Sequence, residues 1–135
     1  MHIQLLNRLA ELNRIAMTVH QLGEEWKIPS QVIYELNLVL EELFINIIFY
    51  AFDDMGEHTI NIVFENPEPG SIRISISDDG KVFNLLEKST DDILSKSLEE
   101  RKEGGLGIHL VKNLENHIEY QRKDGKNVVL LTRCW

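Results

Sequence analysis

The sequence predicts an α+β fold, a two-layer α/β sandwich in which helices pack on one face of a mainly antiparallel mixed sheet. Two observations carry this prediction. Apolar residues recur every three or four positions in the first part of the chain, as in amphipathic helices, and alternate with polar residues in later runs, as in strands. Short turns rich in Gly, Pro, Asn and Asp join those later runs, which is typical of antiparallel hairpins.

A strand and two helices are predicted before the hairpins. The segment His2–Leu6 has the length of a short strand, and a helical pattern begins at about Arg8. Pro29 interrupts this pattern, and Ser30 is a candidate N-cap for a second helix over about residues 31–51. Apolar residues cover almost the whole circumference of the second helix, so we expect it to be buried on all sides.

The remaining strands form two predicted hairpins. They are expected at Thr59–Glu65, Ser71–Ser77, Ile118–Arg122 and Asn127–Arg133. The dipeptide Asp124-Gly125 is a preferred two-residue hairpin turn for the second pair. Between the hairpins lie a charged segment from Glu87 to Glu103 and a helical pattern over 108–116.

Size and composition indicate one domain spanning residues 1–135. The chain is 43% hydrophobic with a formal charge of -8, and it has a single cysteine. No apolar run reaches the roughly 20 residues that span a bilayer, and one cysteine fits a reducing compartment. We therefore expect a cytoplasmic protein with no membrane partner. The acidic charge without a Lys/Arg cluster opposes nucleic-acid binding.

Two polar residues interrupt the apolar second helix. Glu42 and Asn46 are four positions apart and therefore share a helix face. They either form a stripe in contact with solvent or line a polar pocket, since a buried carboxylate is costly without a polar partner. In a pocket, Asn46 offers an oxygen to Mg²⁺ and Glu42 accepts a proton from a hydroxyl. Glu41 points elsewhere on the helix and is expected to be a surface charge.

Two further segments contain candidate site residues. Asp78 continues the inward face of the strand that ends at Asp78-Asp79-Gly80, so this carboxylate either belongs to a turn or accepts a hydrogen bond from a base such as adenine. The glycine loop Gly104-Gly105-Leu106-Gly107 precedes a predicted helix, as in a phosphate site, although a plain hinge remains open.

The order and spacing of these motifs resemble the ATPase superfamily of DNA gyrase, the ninety-kilodalton heat-shock chaperone, histidine kinases and MutL. The segments 40–51, 78–84 and 104–111 are most similar to its compact branch, the anti-sigma-factor serine/threonine kinases. The resemblance implies the histidine-kinase-like ATPase fold, ATP and Mg²⁺ as ligands, and a lid at about 88–103. Val82 departs from the pattern, because larger relatives have a second glycine there.

The resemblance also implies roles for the candidate residues. Asn46 holds Mg²⁺, Glu42 is the general base, Asp78 recognises adenine, and Gly80 leaves room for the base. The glycine loop, which is formed by Gly104, Gly105, Leu106 and Gly107, lines the phosphates. The implied activity is transfer of the ATP γ-phosphoryl group to a serine or threonine of a STAS-type anti-anti-sigma partner. A sigma factor is the rival partner, and a homodimer is expected because relatives often dimerise. The alternative is an ATP-dependent binding module that sequesters its partner without phosphotransfer.

Overall fold

The computed structural model describes residues 1–84 and 117–135. Its helical segments are a 3-10 turn (Leu9–Glu11), α1 (Leu12–Glu25), α2 (Ser30–Asn46) and a π-helical turn (Ile47–Ala51). Its strands are β1 (His2–Leu6), β2 (Thr59–Glu65), β3 (Ser71–Asp78), β4 (His117–Lys123) and β5 (Lys126–Cys134). The predicted strands and the two predicted N-terminal helices are therefore all present.

The five strands form one sheet in the order β1-β2-β3-β5-β4. Every strand pair in the described ranges is antiparallel, which agrees with the mainly antiparallel sheet predicted from the sequence. The parallel pairing that a mixed sheet would add does not occur in these ranges. The turn between β4 and β5 has positive φ at both Asp124 (52°) and Gly125 (76°). These angles are those of the type I′ hairpin turn, whose twist matches the flanking strands.

Both helices share one hydrophobic core with the sheet. Buried residues of α1 (such as Leu22) and α2 (such as Leu40) belong to the same cluster as Ile62, Ile76 and Val129 of the sheet. The strand register aligns residues 62, 76 and 129 in one row across β2, β3 and β5. The structure thus confirms the α+β two-layer sandwich.

Helix α2 is buried along one face and not on all sides, which corrects the prediction from its composition. Its buried positions recur at three- and four-residue steps, as at Val32, Leu36, Val39 and Leu43. The opposite side is open, because Tyr34 on that side is 60% exposed. In a two-layer sandwich the sheet covers only one side of each helix. An apolar circumference alone therefore does not ensure that a helix is buried.

The ends of the helices differ from the predicted ones. The N-cap position of α2 is Pro29, so Ser30 is the first helical residue and makes no capping bond. At the other end the α-helical ladder stops at Asn46, and the expected continuation to Ala51 is the π turn. Such a turn inserts an extra residue into the helical repeat, and π turns are frequent at functional sites. No helix in the described residues is long and apolar enough to cross a bilayer.

Candidate nucleotide site

The last turn of α2 brings Glu42 and Asn46 together. Asn46 is 6% exposed, and its Nδ2 donates a long 3.5 Å hydrogen bond to Glu42 Oε1. Glu42 is half-buried, whereas Glu41 is exposed, as predicted. Since the amide nitrogen of Asn46 is directed at Glu42, its carbonyl oxygen points away from that carboxylate. The two side chains are thus neighbours on one partly enclosed face of the helix.

Asp78 is a buried carboxyl at the end of β3. It is 2% exposed, which agrees with the inward orientation predicted from strand alternation. Its Oδ1 accepts hydrogen bonds from the backbone N–H of Gly80 (2.8 Å) and from Asn127 Nδ2 (3.0 Å). Within the described residues, hydrogen bonds to this carboxyl reach Oδ1 only.

The protein environment raises the pKa of Asp78 above its ordinary value of 3.8. Burial is the largest cause, and the Asp79 charge acts in the same direction. The hydrogen bonds from Asn127 and Gly80 and the positive charge of Arg122 oppose this rise. Desolvation therefore exceeds the stabilisation of the carboxylate by its neighbours.

The inward-facing row of the sheet that contains Asp78 changes from apolar to polar. The register aligns Leu5, Ile60, Asp78, Asn127 and Arg122 across the five strands. The first two residues of this row belong to the core or pack in it, and the last three carry polar side chains. The end of the sheet at Asp78, Asn127 and Arg122 therefore presents hydrogen-bonding side chains on the face that the helices cover.

Ala51 links the α2 end to the Asp78 loop. Its carbonyl oxygen accepts a hydrogen bond from the backbone N–H of Lys81 (2.9 Å), and Gly80 packs directly against it. The rings of Tyr50 and Phe83 add a second link, with centroids 5.5 Å apart. The helix end that follows Asn46 and the loop that follows Asp78 therefore form one connected structure.

Asn127 is a buried polar residue that the sequence reasoning missed. It is 1% exposed, and its Oδ1 accepts hydrogen bonds from Tyr120 Oη (2.6 Å), Phe83 N (3.2 Å) and Arg122 Nη1 (3.2 Å). Its Nδ2 donates to Asp78 Oδ1 and to the Lys81 carbonyl oxygen (2.8 Å). Strand alternation was the available signal, because residue 127 shares the inward face of Val129 and Leu131.

The glycine loop (Gly104, Gly105, Leu106 and Gly107) lies outside the described residues. The same holds for the lid expected at 88–103 and for the helix expected over 108–116. The structure therefore brings together Glu42 with Asn46 and Asp78 with Gly80, and it joins these two pairs through Ala51.

The side chains of Glu42 and Asn46 suit a Mg²⁺ ion that is also bound by phosphate. Residues 1–84 and 117–135 contain no group of three or more His, Cys, Asp or Glu side chains that could hold a metal ion. Mg²⁺ in phosphate-transfer sites takes few protein ligands and completes its octahedron with phosphate and water oxygens. One amide side chain next to one carboxylate side chain fits this chemistry and does not fit a site that holds a metal by protein ligands alone.

The sequence matches the histidine kinase-like ATPase domain over residues 5–133. The two-layer α+β fold agrees with this class of ATPase domain. The chain belongs to the histidine kinase-like ATPase domain family.

Two curated relatives are similar along most of their length. The serine-protein kinase RsbW of Bacillus thuringiensis is 31% identical over 120 residues, which cover 86% of this chain and 73% of the relative. The serine/threonine-protein kinase BtrW of Bordetella bronchiseptica is 25% identical over 111 residues, which cover 82% of this chain and 75% of the relative.

A solved structure shows a similar fold. It is the SiaB–SiaC complex of Pseudomonas aeruginosa, with a TM-score of 0.56 and 15% identity. The match covers 98% of this chain and 88% of the solved one. At this identity the similarity supports the fold alone.

Proposed function

We propose that this protein is an ATP-dependent serine/threonine kinase of the anti-sigma type. It transfers the γ-phosphoryl group of ATP to a hydroxyl of a STAS-type anti-anti-sigma protein and thereby regulates transcription by partner switching. The observation that carries the proposal is the connection, through Ala51, between the Glu42–Asn46 face of α2 and the buried Asp78 carboxyl. Membership of the ATPase family and similarity to two named protein kinases support it.

Asp78 is proposed to recognise the adenine base. Its carboxylate lies at a strand end below the helix layer, where burial makes an unsatisfied acceptor unfavourable. The exocyclic amine of adenine is a donor that satisfies such an acceptor. A hydrogen bond to a charged group contributes roughly 1.5–3 kcal/mol, enough to orient a base.

Asn46 is proposed to bind Mg²⁺ through its carbonyl oxygen. Mg²⁺ and ATP together supply the reactive phosphoryl group and the neutralisation of its charge. The glycines at positions 104, 105 and 107, with Leu106, are proposed to contact the phosphates through backbone N–H groups, and residues 88–103 are proposed to form the lid. Gly80 is proposed to leave space for the base beside Asp78.

Glu42 is proposed to be the general base. Its position beside Asn46 places a carboxylate one helical turn from the proposed Mg²⁺ ligand. There it accepts the proton of the partner's hydroxyl as that oxygen attacks the phosphoryl group. A positioned base of this kind contributes about 10²–10⁴ in rate.

The neighbouring Glu41 provides a matched control for this role. Both residues are glutamates on α2, but Glu41 is exposed and Glu42 is half-buried beside Asn46. We expect Glu42→Gln to bind ATP with nearly wild-type affinity and to lose phosphotransfer by at least about 10²-fold. Glu41→Gln is expected to retain both properties.

Radiolabelled ATP and a panel of STAS proteins test the proposal. The expected product is an acid-stable phosphoserine or phosphothreonine on one partner, formed by the wild type and by Glu41→Gln. Transfer by Glu42→Gln at the wild-type rate would remove Glu42 from the role of base. Tight binding of ATP with no transfer to any STAS partner or sigma factor would support the alternative, a binding module that sequesters its partner.

A further inference from the structure

The Asn127 amide has one chemically allowed orientation. Its Oδ1 faces the backbone N–H of Phe83 and the guanidinium Nη1 of Arg122, which are groups that only donate hydrogen bonds. The other amide atom lies 2.8 Å from the Lys81 carbonyl oxygen, which only accepts. That atom must therefore be the nitrogen, and its second hydrogen is directed at Asp78 Oδ1 over 3.0 Å.

This orientation makes the two oxygens of Asp78 unequal. Oδ1 faces two hydrogens, one from Asn127 Nδ2 and one from the Gly80 backbone. A proton taken up by the carboxyl therefore goes to Oδ2, because a third hydrogen at Oδ1 would oppose the two already there. While Asp78 stays ionised, Oδ2 is an acceptor only.

We propose that Asn127 is the positioning residue for base recognition: its amide holds the Asp78 carboxyl so that Oδ2 meets the base as an acceptor, which favours a 6-amino purine over a 6-oxo purine. This inference rests on the proposed function, since Asp78 meets a base only if the chain binds ATP. Asn127 acts through Asp78 and is assigned no contact with the nucleotide.

The charges around Asp78 support this role. The hydrogen bond from Asn127 comes first among the effects that lower the pKa of this carboxyl, ahead of the Gly80 N–H and Arg122 on β4. Asp79, in the loop after β3, and burial raise this pKa. The facing residue of β2, Ile60, carries no charge.

Loss of the amide is therefore expected to raise the pKa of Asp78 further. A protonated Oδ2 presents a hydrogen to the base, which matches the O6 oxygen of a 6-oxo purine and opposes the amine of adenine. The ionised form binds ATP, so affinity falls as the pH falls through this pKa. Without the Asn127 donor, the fall occurs at a higher pH.

Two substitutions and a matched control test the inference. Asn127→Leu removes the amide at similar volume, and Asn127→Ser keeps one donor on the strand position opposite Asp78. Ile74→Val perturbs the core on β3, the strand that carries Asp78, without changing a contact of Asp78, and it controls for a general loss of stability. Two measurements apply to each protein: the NMR titration of the Asp78 carboxyl without ligand, and the affinities for ATP and inosine triphosphate from about pH 5 to 8.

For Asn127→Leu we expect a higher midpoint of the carboxyl titration, ATP affinity reduced at least about tenfold at neutral pH, and a lower ratio of ATP to inosine triphosphate affinity. Asn127→Ser is expected to change these three quantities less, and Ile74→Val is expected to leave them unchanged. An unshifted titration in both folded Asn127 variants would overturn the inference, as would an unchanged nucleotide preference. If the Asp78 titration shifts in the Asn127 variants but the wild-type protein binds neither ATP nor inosine triphosphate, the proposed function is overturned instead.

Discussion

Gly80 and Ala51 are in contact at a point that admits no side chain on residue 80. A Cβ on Gly80 would collide with the Ala51 carbonyl oxygen and lie 2.8 Å from Asp78 Oδ1 and 2.9 Å from the Ala51 Cβ. The carbonyl oxygen belongs to the backbone and accepts the Lys81 N–H, so it cannot move without breaking that bond. The glycine is thus required by the protein's own chain, in addition to any ligand.

Gly80→Ala is expected to destabilise the fold by about 1–3 kcal/mol, the cost of adding a group to a fully packed site. It is also expected to weaken ATP binding, because relief of the collision separates the α2 end from the Asp78 loop. Urea denaturation and calorimetric titration with Mg²⁺-ATP measure the two effects.

Gly56→Ala is the control for this substitution. A Cβ at Gly56 would lie 3.3 Å from Asp54 Oδ1. This contact needs a shift of only a few tenths of an ångström in an exposed side chain, which can keep its hydrogen bonds to the Gly56 N–H and to His58. We expect a change within about 0.5 kcal/mol. Equal destabilisation by the two substitutions would show that the Gly80–Ala51 contact is not special.

Asp78→Asn tests whether the buried carboxylate is needed for the base. The amide has the same shape, but it lacks the negative charge that strengthens a bond from the adenine amine. We expect ATP affinity to fall at least about tenfold. Asp79→Asn, at a position whose side chain is exposed, is expected to retain the affinity, and an Asp78→Asn protein that binds ATP as tightly as wild type would contradict the assignment.

The raised pKa of Asp78 also predicts a pH dependence of folding. Its carboxyl ionises near 3.8 in the unfolded chain and at a higher pH in the folded protein. The folded state therefore binds more protons between these values, and the stability contributed by this group is lost as the pH rises through the folded pKa. Urea denaturation of wild type and Asp78→Asn from about pH 4 to 7 should show the asparagine variant gaining relative stability with pH. A constant difference would contradict the raised pKa.

The Glu35–Arg133 ion pair is expected to matter for stability because it is largely buried. Arg133 donates from Nε (3.1 Å) and Nη2 (2.9 Å) to Glu35 Oε2 and so ties β5 to α2. Arg133→Met leaves the 6% exposed Glu35 without its cation, at a cost of about 3 kcal/mol.

The Arg8–Glu57 pair is shorter, at 2.6 Å, but both side chains are more than half exposed. Arg8→Met is therefore expected to cost only about 0–1 kcal/mol. Urea denaturation of both variants shows whether burial or a short distance makes an ion pair more important for stability. A larger loss of unfolding free energy in Arg8→Met than in Arg133→Met would contradict the expectation that burial decides.

Local pattern was sufficient to predict much of the fold and part of the site. The Asp78 orientation follows from the alternation of its own strand, and the pairing of Glu42 with Asn46 follows from helical spacing. Each of these inferences needs only residues within one element. The same is true of the hairpin turn at Asp124-Gly125.

The features that were missed depend on contacts between distant segments. The role of Asn127 requires the register that sets it opposite Asp78, 49 positions earlier in the chain. The role of Ala51 requires both the π turn and the close approach of Gly80. The exposure of Tyr34 reflects which side of α2 the sheet covers, and this is set by the tertiary fold.

A crystal structure of the protein with Mg²⁺ and a non-hydrolysable ATP analogue tests the central claim most directly. We predict the exocyclic amine of adenine within about 3.2 Å of the Asp78 carboxyl, with Mg²⁺ bound by the Asn46 carbonyl oxygen and the phosphates. A nucleotide that binds elsewhere, or that contacts neither Asp78 nor Asn46, would contradict the claim.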